Sequence, residues 1–63
     1  MDIIITYKSG HKRIEKNCSF LELNPWDKPR GMCYEKTDKD GHDLCYDDVL
    51  LDKVAKVEII MKE

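Results

Sequence analysis

Three cysteines, Cys18, Cys33 and Cys45, and two histidines, His11 and His42, are the thiol and imidazole groups of this 63-residue chain. His42-x-x-Cys45 with Cys33 and His11 can be drawn as a zinc set. Structural zinc sites, however, usually carry two closely spaced ligand doublets, and here there is one. No metal site is expected: the histidines read as surface residues following turns and the cysteines as small packing groups. Asp38, Asp40, Asp43, Asp47, Asp48 and Asp52 crowd a stretch whose only cation is Lys39. A calcium loop fails there, because placing Gly41 at the sixth loop position puts Lys36 at the first ligand and Leu44 at the ninth. Asp38 and Asp40 suit a turn, Asp48 a helix cap and Asp52 a pair with Lys56. Asp43 and Asp47 are left over, and with Glu35 they make a patch of negative potential. No serine, cysteine or carboxylate pair has a recognisable catalytic partner and no glycine-rich phosphate loop is present, so neither enzyme activity nor a cofactor is expected.

Positive charge collects elsewhere. Residues 1–31 carry six cations against four anions, and residues 32–63 five against nine. Lys12, Arg13 and Lys16 beside Tyr7 could hold a single-stranded nucleic acid, as small β-barrels do. The aspartates and a pI of about 5.6 oppose it. Trp26, the only tryptophan, lies beside Arg30 in a loop and reads either as a cap on one end of the core or as an interface anchor.

The elements that must position these groups follow from a repeat. Lys8-Ser9-Gly10-His11 recurs as Lys39-Asp40-Gly41-His42, each joining two runs of β-forming residues, and both read as hairpin turns with glycine in the left-handed conformation. The second turn pairs Tyr34 with Tyr46 and Lys36 with Leu44. Met32, Tyr34, Leu44 and Tyr46 then share one face, and Cys33, Glu35, Thr37, Asp43, Cys45 and Asp47 the other, wetter one. For the first hairpin a register setting Ile5 against Ile14 gathers the isoleucines and is preferred over one setting Ile5 against Arg13. Cys18–Leu23 and Val54–Ile59 align by type as third strands. Ser19-x-x-Glu22 could cap a brief helix, but Pro25 follows too soon for it to run far. Asp48 with Leu51, Val54 and Ala55 predicts one short helix near residues 48–55. The run Ile3-Ile4-Ile5 places the first strand centrally, next to the last one.

The expected fold is therefore mainly β or α+β. Five or six short antiparallel strands form a small barrel or sandwich from two similar hairpin-plus-strand halves, 1–23 and 32–63, joined by a Pro-rich linker, 24–31. A chain of 7.4 kDa makes one domain. Size scaling gives it roughly 4,200 Å² of folded surface and a thin core. No apolar run reaches the length of a membrane span and Asp2 stands where a secretory signal would begin with basic residues. An unpaired number of cysteines also suits a reducing compartment, so the expected location is the cytosol.

The opening Ile-Ile-Ile-Thr-Tyr-Lys-Ser-Gly-His and the closing Asp-Lys-Val-Ala-Lys-Val-Glu-Ile-Ile resemble the short proteins of bacteriophages and mobile elements that begin strand-turn-strand and end in an apolar-Glu-apolar strand. That group includes inhibitors of host systems, anti-CRISPR proteins among them. The resemblance implies a non-enzymatic inhibitor that binds a larger host protein, such as the basic nucleic-acid groove of a defence nuclease. Glu35, Asp43 and Asp47 would complement the partner's charge, with Trp26 or Tyr34 as anchor. The alternatives are a single-strand-binding module using Tyr7, Lys12, Arg13 and Lys16, or a subunit that associates with itself.

Overall fold

The structure is a computed structural model describing residues 1–27 and 29–61. Among the described residues six strands run in the order β1 (Asp2–Tyr7), β2 (Lys12–Glu15), β3 (Cys18–Leu23), β4 (Gly31–Thr37), β5 (Asp43–Leu50) and β6 (Val54–Ile60), with a single 3-10 turn at Leu51–Lys53. They form two three-stranded antiparallel sheets, ordered β2-β1-β6 and β3-β4-β5, and no barrel closes among the described residues. β1 is central and pairs with β6, as the isoleucine run predicts.

Both hairpins are built on the same loop. Tyr7 N–H donates to the His11 carbonyl (2.8 Å) and Gly10 N–H to the Tyr7 carbonyl (2.9 Å); Asp38 N–H donates to the His42 carbonyl (2.8 Å) and Gly41 N–H to the Asp38 carbonyl (3.1 Å). Gly10 at φ 92° and Gly41 at φ 85° occupy the left-handed position that only glycine takes cheaply. Identical loops dictate identical registers. Tyr34 pairs with Tyr46 and Lys36 with Leu44, as expected, and by the same rule Ile5 pairs with Arg13 and Ile4 with Ile14. This corrects the preferred register of the first hairpin. Ile14 is left 57% exposed on the outer face, while Arg13 turns inward. The isoleucine-matching register loses because the loop sets the other one and Arg13, only part-buried, finds the half-buried Glu15 and the exposed Asp48 as partners.

The helix expected near residues 48–55 is replaced by strand. β5 continues through Asp48, Val49 and Leu50, and only Leu51–Lys53 turn before β6 begins at Val54. Val54, one of the residues of the helical spacing, pairs with Tyr7, and Val49 just before it in the same stretch pairs with Met32, so strand pairing takes both β-branched residues. Asp48 therefore caps nothing, and Lys56 pairs with Glu58 (3.4 Å), its strand neighbour two positions on, where Asp52 was expected.

The two sheets share one core: Ile3 and Ile5 of β1, Cys18 of β3, Met32 and Tyr34 of β4, and Val49 of β5 are all buried. The third strand of each half crosses to the other half's hairpin, β3 joining β4 and β6 joining β1. Asn17, at φ 60°, makes the corner between β2 and β3. At that corner Cys18 N–H donates to the Met1 carbonyl (2.8 Å) and the Met1 amino group to the Cys18 carbonyl (2.9 Å). The folded surface is 4681 Å², above the roughly 4,200 Å² expected from mass. No helix among the described residues is long and apolar enough to cross a membrane.

Candidate protein-binding face

Strand pairing decides which side chains meet on the outside of the β3-β4-β5 sheet. Glu35 lies between Phe20 of β3 and Cys45 of β5, Glu22 opposes Cys33, and Asp43 opposes Thr37. Directly opposed residues project to the same side of a sheet, so Phe20, Glu22, Cys33, Glu35, Thr37, Asp43 and Cys45 form one outer surface. Thr37 Oγ1 donates to Asp43 Oδ1 at 2.8 Å, which fixes the carboxylate at one end. At the other, Asp47 and Asp48 together oppose Cys33 in a β-bulge, since Tyr34 pairs with Tyr46 and Met32 with Val49. A shallow hollow of ≈ 460 Å³ there is lined by Pro25, Asp27, Cys33, Cys45 and Asp47. Loop 24–30 borders it, closed by Asn24 N–H donating to the Gly31 carbonyl (2.9 Å) and by Arg30 N–H donating to Asn24 Oδ1 (3.2 Å). Trp26 stands on this loop 94% exposed, which removes its reading as a core cap.

Of the expected site residues, Glu35, Asp43 and Asp47 share this surface and Trp26 flanks the hollow. Tyr34 does not belong. Its side chain is fully buried on the opposite side of the sheet, stacked on Tyr46 at 5.3 Å between ring centroids, and no partner can reach it as an anchor. Phe20, Glu22 and Asp27 were missed. Reading loop 24–31 as the hairpin connection between β3 and β4 would have found the first two, because alternation along Phe20-Leu21-Glu22-Leu23 then puts Phe20 and Glu22 outward.

Tyr34 instead belongs to a polar clamp between the sheets. Its hydroxyl donates to Glu15 Oε2 (2.7 Å), a carboxylate that also lies 4.0 Å from Arg13 Nη2 and 3.9 Å from Lys36 Nζ. Arg13 Nη1 donates to Asp48 Oδ2 (3.0 Å), with the guanidinium 5.5 Å above the Tyr34 ring centre. Burial raises the Tyr34 phenol above its ordinary value and the hydrogen bond to Glu15 adds to this; nearby Arg13 opposes both. For Arg13, burial alone would lower the pKa, but hydrogen bonding to Asp48 and Tyr7 outweighs it and holds the cation firmly charged. The expected basic strand is thus divided: Lys12 and Lys16 are exposed, whereas Arg13 is committed to the clamp.

The group of possible metal ligands that the described residues bring together contains one histidine and no cysteine. Asp38, Asp40 and His42 bring their ligand atoms within 4.8 Å of one another. Asp38 Oδ1 there already accepts from Asp40 N–H (2.9 Å) and His42 N–H (2.8 Å), the turn role expected for it. Cys33 and Cys45 are free thiols on the outer face, and Cys18 is a buried one whose pKa is raised by burial and by the charge of Glu15. Comparison with protein-family models, curated proteins and solved structures found no match to this chain.

Proposed function

We propose that the protein is a non-enzymatic binding module that docks the acidic outer face of its β3-β4-β5 sheet on a basic surface of a larger protein. The observation that carries this reading is the juxtaposition of Glu22, Glu35, Asp43 and Asp47 around that face with Trp26, 94% exposed, at its edge. An exposed tryptophan beside a charged rim is the composition of an interface hot spot with electrostatic steering around it. The resemblance to phage and mobile-element inhibitors adds the kind of partner: a protein with a basic nucleic-acid groove, a CRISPR nuclease or another defence nuclease, whose activity would be blocked by occupation of that groove in the host cytosol. The single-strand-binding alternative is weakened because Arg13 spends its charge on Glu15 and Asp48.

Three variants test it against a partner captured from host extract and then purified. Reversal of Glu35, Asp43 and Asp47 to lysine is expected to abolish binding, with most of the loss in association rate and strongest at low salt, while leaving the fold intact. Trp26→Ala is expected to raise the dissociation rate. Reversal of Lys12 and Lys16 to glutamate leaves the interaction unchanged; Arg13 is kept, since its loss would disturb the clamp. Binding of a labelled single-stranded oligonucleotide that disappears in the Lys12/Lys16 variant and tightens in the acidic reversal would replace this reading with the nucleic-acid one.

A further inference from the structure

Cys33 Sγ and Cys45 Sγ lie 3.4 Å apart on neighbouring strands, at the floor of the hollow beside loop 24–30. Glu35 is the residue directly opposite Cys45, so Cys33, two positions along β4 and facing the bulge at Asp47–Asp48, is diagonal to Cys45 on the same face. Both thiols sit on the solvent side of the sheet, whereas Cys18 is buried in the core, 4% exposed, and hydrogen-bonds the Glu15 carbonyl (3.6 Å).

We propose that Cys33 and Cys45 are a reversible cross-strand disulfide site, closed by thiol–disulfide exchange with a low-molecular-weight disulfide such as oxidised glutathione. In the first step the Cys45 thiolate attacks one sulfur of oxidised glutathione, forming a mixed disulfide and releasing one glutathione thiolate. The Cys33 thiolate then attacks the Cys45 sulfur, the Cys33–Cys45 bond forms, and a second glutathione thiolate leaves. The protein gives up two electrons and two protons, and one molecule of oxidised glutathione becomes two of reduced glutathione.

The order follows from access to each sulfur. Cys45 is the exposed thiol of the pair and Cys33 the half-buried one, so the incoming disulfide meets Cys45 first; hydrogen bonding with Cys45, then burial, also pushes the Cys33 thiol up to about 11. Attached glutathione at Cys45 then sits next to Cys33, and the entropy of bringing the second thiol to it is already met by the sheet. The remaining approach of the sulfurs is from 3.4 Å to the roughly 2.0 Å of a disulfide. Closure depends on the two sulfurs alone and not on whether a partner docks on this face.

The test uses the full chain in glutathione buffers spanning reducing to oxidising ratios, quenched with an alkylating agent and read by mass spectrometry. Trypsin places the three cysteines in separate peptides, cutting after Lys16, Arg30, Lys36, Lys39 and Lys53. The expected product has lost two hydrogens, retains one alkylatable thiol at Cys18, and yields the peptide 31–36 joined to 40–53; excess reduced glutathione restores three thiols. Cys33→Ser and Cys45→Ser each eliminate the joined peptide and leave the remaining outer cysteine as a stable glutathione adduct. Denaturing the wild-type chain in the same buffer spreads the linkages over all three cysteines, which ties the selectivity to the fold. Stable glutathione adducts on the folded wild type, bonds that include Cys18, or bonds between chains would overturn the proposal.

Discussion

At the residue scale, the informative side chain is Tyr34, because its burial moves it from the list of contacts a partner could make to the centre of the inter-sheet clamp. Its hydroxyl reaches a carboxylate at 2.7 Å in a place where Glu15 is only 15% exposed, so the hydrogen bond is charge-assisted and shielded. Tyr34→Phe keeps the ring, its stack on Tyr46 and its contact with Arg13, and removes that bond alone; it is expected to lower stability by about 1.5–3 kcal/mol in urea titrations. The raised phenol pKa adds a pH signature. A group whose folded value lies above its unfolded one contributes fully below the unfolded value, near pH 10 for tyrosine, and loses that contribution as pH rises from there. The stability gap between wild type and Tyr34→Phe is therefore expected to close above about pH 10. A gap that stays constant across that range would show that the hydroxyl is not held by Glu15.

At the scale of elements, the hairpins show how much of the fold was legible in the sequence. Turn chemistry is encoded in consecutive residues, so Lys39-Asp40-Gly41-His42 fixed its own register, and with it the face on which Glu35, Asp43 and Cys45 lie. The same reasoning applied to Lys8-Ser9-Gly10-His11 gives the observed register too; preferring to match isoleucines overrode it because a charged residue at an inward position looks costly when its partners are unseen. Glu15 is local, two residues on along β2, but Tyr34 and Asp48 come from the other sheet, and no local pattern reveals them. The pairing of β3 with β4, which brought Phe20 and Glu22 to the candidate face, is nonlocal in the same way. Because no atom lies within 4 Å of a Cβ built at either Gly10 or Gly41, replacing them by alanine meets no clash. The cost is backbone strain alone, about 1–2 kcal/mol at each position and nearly equal for the two. Arg30, a non-glycine residue at φ 64°, is expected to respond oppositely, Arg30→Gly gaining stability. Unequal costs at Gly10 and Gly41 in thermal melts would show that the loops are not equivalent.

At the scale of the whole molecule, the two halves depend on each other through exchanged strands and a divided core. Ile3, Ile5 and Cys18 come from the first half and Met32, Tyr34 and Val49 from the second, so neither half carries enough buried apolar surface for a core of its own. Each half alone would also be a two-stranded hairpin with a third strand lacking its partner, and isolated hairpins are marginal in water. Cleaving the chain after Asp27 into fragments 1–27 and 28–63 is therefore expected to give two unfolded peptides. On mixing, β3 can return to β4 and β6 to β1, since the cut falls after the buried Pro25 of loop 24–30 and separates none of the residues of the shared core from its own strand, and the circular dichroism of the intact sheet should reappear. Its melting midpoint should then rise with total peptide concentration, as mass action requires for a folded state assembled from two chains. The clamp gives the association its polar specificity: fragment 1–27 made with Arg13→Ala lacks the contact to Asp48 and is expected to need a higher concentration for the same midpoint. Sedimentation distinguishes this pair from self-association of either fragment. A cooperative, concentration-independent melt from one fragment by itself would mean that a half possesses its own core, and the exchange of third strands would then be incidental to stability.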